Sequence, residues 1–169
     1  MNRVELPYSV GGKSFTGHLA YAELHAGTGP RPGVLVCHDA GGLGEHAKMR
    51  AQRLAELGYV AYALDIFGER SAGAEHASRT IAALLADLPT LRARLNAGLA
   101  ALTALPFVDP SRTAAIGFCF GGSAALELAR SGAPLACTVA FHGPLATSAP
   151  DDARRIQGKI LACVTRVIR

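Results

Sequence analysis

The spacing of hydrophobic and polar positions changes several times along the chain, and each change predicts a different element. Residues 4–10 and 14–23 alternate weakly around Gly11-Gly12-Lys13, which predicts an antiparallel hairpin with a glycine turn. Short, continuous apolar runs then recur, as is typical of strands buried on both faces of a sheet. These predicted strands are residues 34–37, 59–64, 113–117 and 135–141, and residues 160–164 have the pattern of the start of a further one.

Helical patterns separate these strands. Residues 45–57 predict a helix that ends at Gly58, and residues 76–87 and 121–131 predict two more. Pro89 interrupts the helical pattern after residues 76–87, and a helix with one apolar face follows. The leucines of that face are Leu91, Leu95, Leu99, Leu102 and Leu105. Strands that alternate with helices after an opening hairpin predict an α/β fold, with a mostly parallel sheet covered by helices on both faces.

Composition and charge exclude several classes of protein. The 169 residues suffice for one domain with a real core, and 50% hydrophobic against 18% charged residues excludes a disordered chain. The net charge of +4 divides into +1 over residues 1–150 and +3 over the last 19 residues. A short basic tail without interleaved aromatic residues argues against nucleic-acid binding. No apolar run approaches the ~18 residues that would predict a membrane span.

The cysteines indicate a reducing environment. Cys37, Cys119, Cys137 and Cys163 are widely spaced and form no C-x-x-C pair. The N-terminus lacks the apolar core of a signal peptide. We therefore expect a cytoplasmic protein with free thiols.

The segment Gly117-Phe118-Cys119-Phe120-Gly121-Gly122 carries the sharpest chemical signal in the chain. It follows a predicted strand and opens a predicted helix, which places Cys119 on a tight turn where flanking glycines avoid clashes. Free N–H groups and the positive partial charge of a helix N-terminus favour the thiolate, the reactive form of cysteine. Cys119 is therefore a candidate nucleophile. The alternative is a small cysteine buried in the core beside a glycine turn.

This segment resembles the G-x-C-x-G-G nucleophile elbow of the dienelactone hydrolase family, within the α/β-hydrolase fold. The strand that ends in Cys37-His38-Asp39 and the sequence Phe141-His142-Gly143 also resemble that family, over about residues 4–164. The resemblance implies a hydrolase that cleaves an ester or lactone bond in a small-molecule substrate. No cofactor and no metal are expected.

The resemblance also implies roles for other residues. Asp39 matches an acidic residue that lies near the nucleophilic cysteine and helps to hold or activate it. The backbone N–H groups of Ala40 and Phe120 match the oxyanion hole. Arg79 matches an arginine that binds a substrate carboxylate. His38 is interpreted instead as a strand-end histidine that hydrogen-bonds locally.

A complete catalytic triad is not found after Cys119. The fold requires an acid and then a histidine, but His142 precedes Asp151 and Asp152 and matches a non-catalytic family position. We therefore expect residues 1–169 to form a single, incomplete domain whose C-terminal part is missing through truncation or a frame change. Its activity is expected to be impaired. The strand at 160–164 would leave an open sheet edge through which the chain could self-associate.

Two other functions remain open at this stage. Gly41-Gly42-x-Gly44 follows a strand, and Asp65 ends the next strand, as in a dinucleotide-binding module. The spacing is not G-x-G-x-x-G, however, and Asp65 is better interpreted as a strand-end residue that positions the following loop. The chain could also be a non-catalytic remnant that acts through a partner chain.

Overall fold

Seven strands form one sheet in the computed structural model, which describes residues 1–23, 29–68 and 73–164. The strands are β1 (Asn2–Val10), β2 (Lys13–Tyr21), β3 (Arg31–Cys37), β4 (Val60–Leu64), β5 (Val108–Phe118), β6 (Cys137–Phe141) and β7 (Lys159–Cys163). The helices are α1 (Glu45–Glu56), α2 (Ala74–Ala86), α3 (Leu88–Thr103) and α4 (Phe120–Arg130), with a 3-10 helix over Pro150–Arg155. The predicted hairpin, strands and helices are therefore all present.

The strand order brings the chemically interesting turns to one edge of the sheet. The order is β1-β2-β4-β3-β5-β6-β7. Strands β3 to β7 run parallel to one another, and β2 runs antiparallel to both of its neighbours, β1 and β4. Cys37 at the end of β3 pairs in register with Gly117 of β5, and Phe118 pairs with Phe141 of β6. The turns that follow these three strands therefore lie side by side.

Helices cover both faces of the sheet, as the continuous apolar runs predict. In β3, Leu35 and Cys37 face one core cluster, which also contains the buried residues of α3 and α4. Val34 and Val36 face a second cluster, where the alanines of α1 pack. Since successive side chains of a strand point to opposite faces, both sets must be apolar.

A side-chain cap and a proline mark the boundary between α2 and α3. The Asp87 carboxylate accepts a hydrogen bond from the Thr90 N–H at 3.1 Å, and Pro89 lies in the first turn of α3, where it is tolerated. Four of the five predicted leucines are buried along this helix: Leu91, Leu95, Leu99 and Leu102. The predicted apolar face of α3 is therefore confirmed.

Two features depart from the sequence pattern. Strand β5 begins at Val108 instead of residue 113, because Val108 and Asp109 pair with β3 before the register shifts between Pro32 and Gly33. The 3-10 helix Pro150–Arg155 is not predicted at all. The start of β5 depends on contacts with β3. The 3-10 helix is too short for its residues to show a period in the sequence.

Strand β7 forms an edge of the sheet within the described residues. It pairs with β6, and all five of its residues are exposed, including Ile160 at 41% and Leu161 at 56%. This is the apolar strand that the sequence pattern places at an open edge.

Candidate active site

The backbone of Cys119 adopts a conformation that few residues other than glycine use. It lies between β5 and α4 with φ at +54° and ψ at −120°, a strain of about 1–3 kcal/mol. The Cys119 N–H donates to the Phe141 carbonyl at 3.0 Å, and the Cys119 carbonyl accepts from the Gly122 N–H at 2.9 Å. These hydrogen bonds hold the residue in a sharp strand–turn–helix elbow.

The glycines of the elbow are required by close approaches of the backbone. A Cβ on Gly117 would overlap the carbonyl of Gly121, and a Cβ on Gly121 would overlap the carbonyl of Cys37. The elbow between β5 and α4 therefore packs directly on the end of β3. The steric reason that the sequence suggests for these glycines is confirmed.

The Cys119 thiol differs from the buried thiol of Cys37. Cys119 is half-buried, and within the described part of the chain its sulfur makes no hydrogen bond. Burial raises the pKa of the Cys37 thiol to about 12, which keeps that thiol protonated and unreactive. Of the two cysteines, the elbow residue is therefore the one available for chemistry.

Asp39 lies in the turn after β3, but its carboxylate contacts residues of that turn and of α1. One oxygen, Oδ1, accepts a hydrogen bond from the Gly41 N–H at 2.8 Å. The other, Oδ2, lies 3.1 Å from Nδ1 of His46. The geometry of this contact does not meet that of a hydrogen bond, so the interaction is electrostatic. The role implied for Asp39 beside Cys119 stays a prediction.

His46 contacts both the candidate site residue Asp39 and the elbow residue Phe118, and the sequence analysis does not single it out. Its Nε2 accepts from Arg50 Nε at 3.3 Å, which assigns the proton to Nδ1 on the side of Asp39. The ring also packs edge-on against Phe118, the residue before Cys119, with centroids 5.0 Å apart. The sequence signal is only a histidine and an arginine four residues apart, and their contact with the elbow needs the turn to fold back.

His38 orients the peptide group that carries the N–H of Ala40. His38 is fully buried, its Nδ1 lies 2.7 Å from the Asp39 carbonyl, and its Nε2 accepts from the Ile66 N–H at 3.1 Å. Because a trans peptide points its C=O and N–H in opposite directions, a carbonyl held by His38 turns the Ala40 N–H away from the core. The contact with Asp39 is the local hydrogen bond that the sequence predicts for this strand-end histidine, whereas the bond from Ile66 comes from 28 residues further along the chain.

The other candidate oxyanion donor lies at the start of α4. Phe120 is the first residue of that helix, so its N–H has no carbonyl one turn earlier within the helix. A Cβ on Gly121, the next residue, would overlap backbone at the end of β3. The two amides thus belong to turns that touch, and their joint role as an oxyanion hole stays a prediction.

We expect His38 to make the stability depend on pH. Burial lowers the pKa of His38 below the 6.5 of an ordinary histidine, so the unfolded chain binds the proton more readily than the folded chain. This contribution is complete above pH 6.5 and is lost as the pH falls below 6.5, by at most about 1.4 kcal/mol per pH unit. Urea unfolding between pH 7.5 and 5.5 should show this loss, and His38→Gln should reduce it; an equal pH slope in the variant would contradict the prediction.

Arg79 lies on an exposed face of α2. Its guanidinium pairs with Glu75 at 2.7 Å, and 68% of its side chain is exposed. Glu75 therefore pairs with the guanidinium group that the resemblance assigns to binding a substrate carboxylate. Its role in substrate binding stays a prediction.

Asp65 positions its own loop. Its Oδ1 accepts from the N–H groups of Phe67 at 3.2 Å and Gly68 at 3.0 Å, and its carbonyl accepts from the Tyr8 hydroxyl at 2.6 Å. The carboxylate that a dinucleotide-binding module would offer to a ribose is therefore used in the loop after β4.

His142 follows β6 with a positive φ of 43°, and its N–H donates to the Cys163 carbonyl at 2.7 Å. Within residues 1–23, 29–68 and 73–164, no histidine is hydrogen-bonded to Cys119. The same residues contain no cluster of three metal-ligating side chains. None of their helices is both long and apolar enough to cross a membrane.

A mostly parallel sheet with helices on both faces and a strand–turn–helix elbow defines the α/β-hydrolase fold. The model of the dienelactone hydrolase family matches residues 19–166, and the chain belongs to this family. The resemblance stated from the motifs is therefore confirmed.

Individual relatives agree with this assignment. The "Putative carboxymethylenebutenolidase" of Methylorubrum extorquens is 28% identical over 130 residues, which cover 75% of this chain and 45% of that relative. A dienelactone hydrolase-like promiscuous phosphotriesterase from metagenomic libraries is 46% identical, with a TM-score of 0.90 over 96% of this chain and 68% of that one. The dienelactone hydrolase of Anabaena variabilis, at 22% identity and a TM-score of 0.69 over 96% of this chain and 73% of that one, shares the fold. The chain thus spans less than half the length of the curated relative.

Proposed function

We propose that this chain reacts with esters or lactones through the thiol of Cys119. The observation that carries the proposal is the strained elbow, which presents Cys119 at the N-terminus of α4 beside the turn that His38 orients. Membership of a hydrolase family supports the same chemistry.

In the proposed reaction, the thiol first loses its proton to solvent. The sulfur then forms a bond to the carbonyl carbon, and the π electrons move to the carbonyl oxygen, where the N–H groups of Ala40 and Phe120 donate hydrogen bonds to the developing charge. When the C=O bond re-forms, the bond to the leaving alcohol oxygen breaks, and that oxygen departs with the electron pair. The product is a thioester on Cys119.

We propose that this thioester hydrolyses slowly in the 169-residue chain. Hydrolysis needs a base that activates water, and none of the described histidines is hydrogen-bonded to Cys119. Asp39 is engaged with Gly41 and His46. The chain should therefore accumulate acyl-enzyme instead of turning over steadily.

A nitrophenyl ester should produce a burst of one nitrophenolate per chain, with an equal gain of one acyl mass. Peptide mapping should find the acyl group on Cys119, and Cys119→Ser should abolish the burst. Cys163→Ser is the matched control, because it removes an exposed thiol outside the elbow and should leave the burst unchanged. Acylation of Cys163 instead of Cys119 would contradict the proposal. So would steady turnover that His142→Ala abolishes, since this would make His142 the base.

We also propose that the chain self-associates through β7, whose five residues are all exposed along an edge of the described sheet. Exposed, apolar edge strands pair readily with other chains. Light scattering after size exclusion should show a concentration-dependent mass, and Leu161→Lys should lower that mass. A monomer at all concentrations would contradict this.

We propose a reducing location, such as the cytoplasm, for this chemistry. A thiol nucleophile must be reduced to react, and all four cysteines are free.

A further inference from the structure

An open cavity of about 570 Å³ lies beside the candidate oxyanion donor Ala40. One wall is the turn at Ala40 and Gly41, and the other is a single face of α2. The residues of that face, with Gly73 just before it, are Ala74, Ala77, Ser78 and Ile81. We infer that this cavity holds an uncharged, apolar acyl group of the ester that reacts at Cys119, an inference that rests on the proposed function.

The cavity adjoins the place where the carbonyl oxygen of a bound ester would lie. Ala40 belongs to both: its N–H is the candidate donor, and the residue itself lines the cavity. His38 holds the preceding carbonyl toward the core, so the Ala40 N–H faces outward. A carbonyl bound by this N–H has one of its two substituents close to the wall of α2, and the inference assigns the acyl group to that side.

The chemistry of the wall favours an apolar group. Among the described residues that line the cavity, none carries a charge, and Ser78 is the one polar side chain. Its volume falls within the roughly 300–1,000 Å³ of cavities that hold small molecules. A carboxylate in this space would lose water without gaining a charged partner among the described residues that line it, which is unfavourable, whereas each buried methylene group gains about 0.8 kcal/mol.

The one arginine of α2 does not belong to this wall. At 3.6 residues per turn, Arg79 and Glu75 lie roughly 130° around the helix from the centre of the lining face. Their ion pair at 2.7 Å satisfies the Arg79 cation in solvent. The geometry therefore separates Arg79 from the cavity and leaves an apolar wall beside the donor.

Three nitrophenyl esters with the same leaving group test the inference. The acetate is short, the hexanoate carries an apolar chain, and the mono-adipate carries a chain of equal length that ends in a carboxylate. We expect the hexanoate to acylate Cys119 about tenfold faster than the mono-adipate, as nitrophenolate release and intact mass measure. Equal or faster acylation by the mono-adipate would overturn the inference. Failure of all three esters to acylate Cys119 would instead overturn the proposed function.

Substitutions on α2 locate the acyl group. Ala74→Leu narrows the cavity and should slow the hexanoate several-fold relative to the acetate. Ser78→Lys adds a cation to the wall and should raise the rate with the mono-adipate. Ala82→Leu and Ala82→Lys are matched controls, because Ala82 is exposed on α2 outside the cavity lining. If the paired changes at positions 74 and 78 act no differently from those at 82, the acyl group does not bind here.

Arg79→Ala completes the test. We expect it to leave the ratio of hexanoate to mono-adipate rates unchanged, because the Arg79 side chain lies outside the cavity lining. A selective loss of the mono-adipate rate would show that Arg79 binds the carboxylate and would overturn the inference. Thermal melting of each variant confirms that the rates come from folded protein.

Discussion

Replacing Gly121 with alanine should lower the free energy of unfolding by about 3 kcal/mol or more and abolish the acylation of Cys119. A Cβ at this position would overlap the carbonyls of Cys37 and His38, which are backbone atoms at the end of β3. Since neither backbone can rotate away as a side chain would, the elbow must separate from β3. That movement also displaces the Phe120 N–H from the Ala40 turn.

Urea unfolding and the nitrophenyl ester burst measure the two effects separately. Gly29→Ala is the matched control: Gly29 is exposed, and a Cβ there meets no atom of the described residues within 4 Å. We expect this control to unfold and react as the unmodified chain does. A Gly121→Ala chain with normal stability and a normal burst would show that the elbow does not depend on its contact with β3.

Glu127→Ala should cost about 3 kcal/mol of stability, because it removes the carboxylate that pairs with both Arg92 and Arg130 and leaves Arg92 with Asp152 alone. Glu127 is on α4, and only 2% of its side chain is exposed. Its Oε2 accepts from Arg92 of α3 at 2.7 and 3.0 Å, and its Oε1 accepts from Arg130 at 2.8 Å. The carboxylate therefore ties α3 to α4, the helix that carries the elbow.

Denaturant unfolding of paired variants checks this prediction. Asp151→Ala is the control, since Asp151 is 95% exposed and lies 3.9 Å from Arg154, a pair that should contribute almost nothing. Glu127→Gln keeps one accepting oxygen, removes the other acceptor and the charge, and should give an intermediate loss. If Glu127→Ala and Asp151→Ala were equally mild, Asp152 and solvent would have to satisfy both arginines without Glu127. Only 15% of the Arg92 side chain and 12% of the Arg130 side chain are exposed, which argues against free access of solvent.

The elements of this fold follow from local patterns that a sequence displays directly. The apolar runs of β3 and β4 and the leucine spacing of α3 predict buried strands and a helix within a few residues of their bounds. The start of β5 is less predictable. Its first residues pair with β3 across a register shift, which depends on the partner strand and leaves no period in the sequence itself.

The sequence alone determines the α/β architecture, the family and the elbow at Cys119, because the glycine spacing marks a strand–helix turn in which Gly117 must clear the carbonyl of Gly121 four residues on. Only the tertiary structure decides which groups surround that elbow. It pairs Asp39 with His46 and turns the Ala40 N–H outward through His38. Each of these contacts depends on where a side chain or carbonyl points after the turns and helices have packed, and residue spacing does not specify that direction.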